Sequence, residues 1–567
     1  MSYILGISCG YHDSAACLVY NGKVLGACEE ERFTGIKHDS AFPHKTIEWL
    51  LSENNITKDN ISCISFYEKP ELKLDRIETT TKSGGFLNYF NRRKIIKRNK
   101  TQYKELLQNL ELYKGSNTEL YFSEHHQSHA SYSYLTSPYK DSLIFSVDGV
   151  GEWETTSVYL GESNSIKKLE TIHFPHSLGM FYSAMTAFLG FKPNEGEYKV
   201  MGLAPYGNPF KFFKRFKNII KEKENSKFEI NMDYFTYDWS DTHMFNEKLG
   251  IELGIINRLP DEPLTQEHKD LAAAVQLIYE THFFKLLNYV STLYPTKNIC
   301  LSGGCAYNGT ANGKILEKTR FDNLWIPPAP SDAGSAIGCA LEYFYLNNSS
   351  LRKDNSNPYL GPSYRRKDCA DVVEKYKKYV YSEYHTNQSL IKTISKEITD
   401  GQIVGWFEGQ IEFGARALGN RSILANPRDP QMKSRLNRVI KKREGFRPFA
   451  PIVKREAQVK YFKYQRVVPY MNQVVKVKEE YIDKLPAITH VDNSARIQSL
   501  DSKQHSRIYN LLTQLEIDNG YPIVVNTSFN LKDQTMVLTP EDAIKTFLNC
   551  EMDILVMDNF VIRKTII

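Results

Sequence analysis

At 567 residues the chain exceeds what one hydrophobic core usually supports, so two or more domains are expected. Its 41% hydrophobic and 24% charged residues, with a mean hydropathy of −0.44, argue against wholesale disorder. A net charge of +6 is mild over this length and makes no case for nucleic acid or membrane by itself.

The nine cysteines (Cys9, Cys17, Cys28, Cys63, Cys300, Cys305, Cys339, Cys369 and Cys550) are scattered and form no CxxC pair. A disulfide framework and a cysteine zinc site are therefore not expected, and a reducing compartment fits. His12 and Asp13 interrupt the first apolar run, which reads as a buried strand instead of a signal peptide. No stretch approaches the roughly 20 apolar residues of a membrane span. The expected location is the cytoplasm, with no membrane partner.

In chain order, Tyr3 to Arg32 (YILGISCG–YHDSAACLVYNGKVLGACEEER) predicts a strand, a polar turn and a second strand. Residues 69–120 are a charged insertion containing Arg92-Arg-Lys-Ile-Ile-Lys-Arg98, read by default as a solvated helix face, with an RNA-binding arm as the minor alternative. Ser123-Glu-His-His-Gln-Ser-His129 predicts a helix capped by Ser123, with His125 and His129 on one face as half of a metal site. Ser142 to Ser163 repeats the strand–turn–strand device and ends its first strand at Asp148. Paired hairpins of this kind resemble the phosphate-gripping elements of the actin, sugar kinase and Hsp70 ATPase fold. Residues 210–262 form a second polar insertion. Ile299 to Asn308 is an apolar strand ending in Gly303 and Gly304, where backbone can approach a nucleotide. Asp332, at the predicted start of another helix, completes a set of two imidazoles and two carboxylates suited to iron(II), manganese or zinc.

Polar sequence at Asn347–Pro358 marks the linker, with a boundary near residue 355. Beyond it, Phe413-Gly-Ala-Arg-Ala-Leu-Gly-Asn-Arg-Ser422 carries Arg416 and Arg421. Asn437 to Pro451 adds Lys441, Arg443 and Arg447, followed by Arg496 and by Val525-Asn-Thr-Ser-Phe-Asn530. Guanidinium forks interleaved with Phe, Gly and Pro favour a shaped anion pocket over a solvated charge run.

The motifs HDSAA (His12–Ala16), EEER (Glu29–Arg32), EYKVMGLAPYG (Glu197–Gly207), SGGCAYN (Ser302–Asn308), GARALGNRSI (Gly414–Ile423), FRPFAP (Phe446–Pro451) and NTSFN (Asn526–Asn530) resemble, in order and spacing, the NodU/CmcH/TobZ-type O-carbamoyltransferases. The chain departs from that pattern in reading Ser-Gly-Gly-Cys-Ala-Tyr-Asn-Gly and Asp-Asn-Ser-Ala-Arg at two motifs. The resemblance implies an α/β architecture: an N-terminal actin-like (TsaD-like) domain over 1–350, a linker over 351–365, and an α+β YrdC-like domain over 366–567. It implies activation of carbamoyl phosphate with ATP, accompanied by Mg, to carbamoyl-adenylate, then transfer to a hydroxyl of a small-molecule acceptor. Arg416, Lys441, Arg443, Arg447, Arg496, Asn526 and Ser528 would hold carbamoyl phosphate or the adenylate, with Arg416 and Lys441 also catalytic. Gly303, Gly304, Asn308 and Lys199 would contact nucleotide in the first domain. His125, His129, Asp148 and Asp332 would bind iron(II), with Mn or Zn as substitutes, and His12 would act as general base. A symmetric homodimer is common for two-domain enzymes of this size. The competing readings are a tRNA threonylcarbamoyl-type enzyme, a hydrogenase maturation factor and a non-catalytic actin-like nucleotide-binding module; no nucleic-acid partner is expected.

Overall fold

The computed structural model describes residues 3–84, 89–503 and 505–565. The chain divides into two compact units, one of residues 1–27 and 40–356 and the other of residues 28–39 and 357–567. The segment carrying the EEER motif falls in the second of these units although it lies near the chain's start.

In the first unit, five strands form one sheet: β1 (Tyr3–Ser8), β2 (Ala15–Tyr20), β3 (Lys23–Glu29), β4 (Ile61–Phe66) and β5 (Glu119–Phe122). They lie in the order β3-β2-β1-β4-β5, with β1 antiparallel to β2 and parallel to β4. A second sheet comprises β6 (Asp141–Val147), β7 (Glu154–Glu162), β8 (Ser165–His173), β9 (Asn298–Ser302) and β10 (Asn323–Trp325). Its order is β10-β9-β6-β7-β8, with β6 antiparallel to β7 and parallel to β9. Each sheet is therefore a three-stranded meander extended by two parallel strands, the same plan built twice. The central strands are apolar on both faces, as strands covered on both sides must be.

The helices of this unit include α1 (Tyr89–Leu112), α2 (His125–Leu135), α3 (Glu197–Leu203), α4 (Gln266–Leu293) and α5 (Asp332–Asn347), of which α2 and α5 carry candidate metal ligands. Helices α2 and α5 are buried and cross at very short range. A Cβ on Gly338 would stand 1.9 Å from the Ser128 carbonyl oxygen, and one on Gly334 would stand 2.0 Å from that of Ala329 and 2.4 Å from the Tyr132 ring. The Gly334-Ser-Ala-Ile-Gly338 spacing is thus what lets the helix carrying Asp332 meet the helix carrying the histidines.

The second unit is built on one nine-stranded mixed sheet. Its strands are β11 (Val380–Tyr384), β12 (Val404–Phe407), β13 (Arg421–Ala425), β14 (Ala450–Lys454), β15 (Gln473–Lys476), β16 (Ser494–Leu500), β17 (Ile523–Ser528), β18 (Ile554–Met557) and β19 (Phe560–Lys564), in the order β11-β19-β18-β12-β13-β17-β14-β16-β15. Alternate residues feed separate cores on its two faces. Val404, Trp406, Leu424 and Val524 pack with the helices Asn387–Thr399 and Ser506–Asn519, while Phe407, Ile423, Val525 and Leu555 face the other way.

Candidate metal centre and anion pocket

The four expected metal ligands converge in the first unit. His125 Nε2 and His129 Nε2 lie 3.1 Å apart, and each lies 3.0–3.1 Å from Asp148 Oδ2. Asp332 Oδ1 stands 3.4 Å from His129 Nε2 and 3.6 Å from His125 Nε2. Around an ion with ligand bonds of about 2.1 Å, neighbouring donors are spaced by roughly 3.0–3.4 Å. The four atoms thus match the edges of one coordination polyhedron, and two nitrogens with two carboxylate oxygens suit iron(II), manganese or zinc.

Each ligand is oriented from behind. Asp148 Oδ1 accepts the amide N–H groups of Gly149 (2.8 Å) and Gly304 (3.0 Å), which leaves Oδ2 for the centre. His129 Nδ1 lies 3.0 Å from Ser335 Oγ, and His125 Nδ1 lies 3.7 Å from the buried carboxylate of Glu68. Such partners behind a ligating histidine fix its ring. The helix start differs from expectation. Ser123 does not cap it: α2 begins at His125, whose amide N–H is taken by the buried Glu152 carboxylate at 2.9 Å, while Ser123 donates to Glu342.

The electrostatics show a cage of excess negative charge. Burial pushes both imidazoles down, but Asp148 and Asp332 carry His129 above its ordinary value and His125 well above it, with Glu68 adding to the latter. The two histidines in turn hold Asp148 well below its ordinary value despite burial. Burial also opposes protonation of His12, yet its 3.0 Å contact with Asp13 and the charges of Asp332 and Asp148 bring it up to about 9. Those carboxylates, uncompensated, favour the imidazolium form of His12.

The expected nucleotide contacts of this unit are largely committed elsewhere. The Gly303 amide donates to the Pro330 carbonyl and that of Gly304 to Asp148. A Cβ at Gly304 would crowd Asp148 Oδ1 at 2.9 Å, so this glycine serves the carboxylate's approach. Asn308 exchanges two hydrogen bonds with Gln276 of α4 and accepts the Ala311 amide. Lys199, on α3, places its ammonium 5.5 Å above the Phe191 ring.

In the second unit the expected cations do gather. Arg496, on β16, is pulled well below its ordinary value by burial and by the charges of Arg416, Arg443 and Arg447. Among the described residues its guanidinium makes no hydrogen bond or ion pair. Lys441 is buried and donates to the Ser528 carbonyl (2.6 Å) and Oγ (3.2 Å) and to the Asn530 carbonyl (3.0 Å) and Oδ1 (2.8 Å). Burial, then Arg443 and Arg447, push its ammonium well below the usual range. Arg443 donates to Asn437 Oδ1 at 2.7 Å and covers the Phe449 ring, and Arg447 lies 3.5 Å from Glu444.

Two residues of the basic motif set have other work. Arg421 is fully buried, donates to the carbonyls of Glu408, Gly409 and Asn420, and stacks 3.8 Å from the Phe407 ring centroid. It is a strut of the sheet and offers nothing to an anion. Asn526 donates to the Ala417 carbonyl at 2.8 Å, bracing the loop that carries Arg416. Sequence reasoning missed Glu412, whose buried carboxylate accepts the amides of Leu418, Asn420 and Arg421 and so shapes that same loop. The Arg92–Arg98 run lies on α1, where Arg98 pairs with Asp241. Arg93, Lys97, Lys100 and Lys104 line a shallow groove along this helix.

The first unit thus brings together four candidate metal ligands, and the second a cluster of guanidinium groups around Arg496. Residues 3–341 match the family described as carbamoyltransferase N-terminus, and residues 395–564 match that described as carbamoyltransferase C-terminus. An uncharacterized protein of Synechocystis sp. is 41% identical, covering 100% of this chain and 97% of its own. The nodulation protein NolNO of Sinorhizobium fredii is 34% identical over 98% of this chain and 79% of its own. An uncharacterized protein of Methanocaldococcus jannaschii is 31% identical over the full length of both. The chain belongs to the carbamoyltransferase family, and it is an enzyme that transfers carbamoyl groups.

Proposed function

We propose that the enzyme activates carbamoyl phosphate with ATP and passes the carbamoyl group to a hydroxyl of a small-molecule acceptor. The observation that carries this reading is the cluster around Arg496. Burial and the charges of Arg416, Arg443 and Arg447 push the Arg496 guanidinium well below its ordinary range, with Glu444 as the carboxylate beside Arg447. Like charges held together and partly desolvated are stabilised by a polyanion, and guanidinium forks match phosphate oxygens. Lys441, fixed by four oxygens at the end of β17, adds its charge beside Arg443 and Arg447.

In this reading, water releases phosphate from carbamoyl phosphate in the second unit. The freed carbamate oxygen attacks the α-phosphorus of Mg-bound ATP and expels pyrophosphate, forming carbamoyl-adenylate. Arg416 and Arg496 hold the phosphate oxygens while charge shifts, and Asn526 and Glu412 keep the Arg416 loop from yielding. Transfer follows in the first unit, whose twice-built sheet supports an actin-like nucleotide-binding fold. There the acceptor oxygen attacks the carbamoyl carbon, AMP leaves, and the hydroxyl proton passes to His12. His125, His129, Asp148 and Asp332 would hold iron(II), or Mn or Zn in its place. When bound, the ion supplies positive charge that stabilises the departing AMP and offsets the two carboxylates. His12 then loses the part of its proton affinity that Asp332 and Asp148 supply, while Asp13 still orients its ring, and it can serve as general base, a contribution of about 10²–10⁴ in rate.

The test is incubation of the purified protein with ATP and carbamoyl phosphate, without acceptor, and detection of carbamoyl-AMP or of AMP plus pyrophosphate by mass spectrometry. Product from the wild type and none from Arg416→Ala supports the reading. Product only when threonine and bicarbonate replace carbamoyl phosphate would overturn it in favour of threonylcarbamoyl chemistry.

A further inference from the structure

The second unit contains one stretch of chain from the N-terminal region, residues 28–39, and the function described so far makes no use of it. Two of its buried side chains grip the backbone of a single residue, Gly414, on both sides of its Cα. Glu29 Oε1 accepts the Gly414 amide N–H at 2.7 Å, and an Arg32 Nη donates to the Gly414 carbonyl at 3.1 Å. Arg32 is held in turn by Glu31 at 2.5 Å and by the other oxygen of Glu29 at 3.6 Å. Glu29 is 4% exposed and Arg32 8%, so water does not compete for these bonds.

Gly414 stands two residues before Arg416. The turn that follows is held at its other end by Glu412, through Leu418, Asn420 and Arg421, and by Asn526 through Ala417. Without Glu29 and Arg32, the Gly414 side of the turn lacks its two side-chain anchors. A guanidinium that must meet phosphate oxygens bidentately tolerates little displacement, since both bonds depend on one orientation. We propose that Glu29 and Arg32 are positioning residues that set Arg416 for phosphate, so that the EEER motif serves the anion pocket of the second unit. This rests on the reading of that pocket as the carbamoyl phosphate site.

The experiment is steady-state pyrophosphate release by the full-length protein with ATP and varied carbamoyl phosphate, alongside calorimetric binding of carbamoyl phosphate and a melting curve for each variant. Glu29→Ala is expected to raise KM and the dissociation constant for carbamoyl phosphate about tenfold or more, with kcat within about threefold. Glu29→Gln keeps a side-chain carbonyl that accepts the Gly414 N–H and should restore KM to within about threefold of wild type. In the double variant Glu29→Ala/Arg416→Ala, the calorimetric dissociation constant for carbamoyl phosphate should be no higher than in Arg416→Ala alone, because the first residue acts only through the second. Should Glu29→Ala not fold, Arg32→Lys carries the test: it keeps a cation beside Glu29 and Glu31 but loses the reach to Gly414, and KM should rise at least about threefold. An unchanged KM and dissociation constant in these variants, where Arg416→Ala does weaken binding, overturns the proposal, as do effects that multiply in the double variant. If Arg416→Ala itself leaves carbamoyl phosphate binding intact, the pocket reading is what falls, and the proposal falls with it.

Discussion

The two sites are electrostatic opposites. In the first unit, Asp148 and Asp332 crowd two imidazoles that have been driven toward protonation. In the second, Arg496 and Lys441 sit among cations that push them toward losing their protons. The difference lies in how each relieves its own charge. The candidate metal ligands can borrow protons, because a protonated His125 or His129 forms an ion pair with Asp148. The guanidinium groups of the second unit have no such resource, since a guanidinium stays protonated, and only Lys441 can shed its proton. A metal-site variant therefore breaks pairs already made, whereas a variant that deletes a pocket cation relieves repulsion.

That asymmetry is open to test. The largest effect is expected from Asp148→Asn. The amide keeps the shape but removes the charge that both histidines face, so bound metal, measured by mass spectrometry of the purified protein, should fall to a few per cent of wild type. Carbamoyl transfer should drop by about 100-fold or more, beyond the 10–100-fold typical of partners behind the ligands. The metal-free protein should also melt at a lower temperature. Metal retention close to wild type would dissolve the proposed centre.

Arg496→Met tests the other side. Losing a charged hydrogen-bond donor to phosphate should weaken carbamoyl phosphate binding by about 10- to 100-fold. Without ligand, however, the variant should melt no lower than wild type, and higher by about 2–4 °C if 1 kcal/mol of repulsion is relieved. Loss of binding together with a strong drop in melting temperature would show that Arg496 is a strut like Arg421.

How much of this was legible in the sequence depends on the reach of each interaction. The two hairpins and the His125–His129 spacing are local patterns, and they gave the first strands of both sheets and two of the four candidate metal ligands. Asp332 was readable as a helix start, but its approach to α2 depends on Gly334 and Gly338, whose meaning appears only once the helices cross. The partners of Glu29 and Arg32 lie 385 and 382 residues away, and no periodicity encodes such a contact. Nor does composition separate Arg421 from Arg416: both stand in one glycine-rich motif, and only burial against backbone carbonyls marks the first as structural. Ser123 misled for the same reason, because the N–H group it was expected to cap is taken by Glu152, 27 residues on.

A smaller effect is expected away from both sites. Burial pushes the Glu342 carboxyl up to about 7, against hydrogen bonds donated by Ser123 and Tyr121. The folded protein thus keeps a proton that the unfolded chain releases near its ordinary value of about 4.5. Its contribution to stability is complete below that value and is lost as the pH rises through 7. A shift of this size corresponds to at most about 3 kcal/mol. Urea midpoints for Glu342→Gln should show a flatter pH dependence than wild type between 4.5 and 7, and parallel curves would refute the assignment.

The smallest effect is expected at α1, and it separates a small-molecule acceptor from an RNA. The helix buries Ile95 and Leu110 on one side and turns Arg93, Lys97, Lys100 and Lys104 to the other at helical spacing. Lys100 is paired with Glu78, but among the described residues Lys97 and Lys104 have no carboxylate within ion-pair distance. A phosphate backbone would exploit such a stripe, and reversing two of its charges would weaken binding steeply and flatten the salt dependence. A small acceptor has no use for it. Lys97→Glu/Lys104→Glu should therefore leave adenylate formation and the melting temperature unchanged, with rates within about twofold, since surface charges away from special contacts alter stability by less than about 0.5 kcal/mol. The same variant, titrated with tRNA beside the wild type, should show no difference between the two. A salt-sensitive tRNA affinity that vanishes on charge reversal would make α1 a nucleic-acid surface and return threonylcarbamoyl-type chemistry to first place.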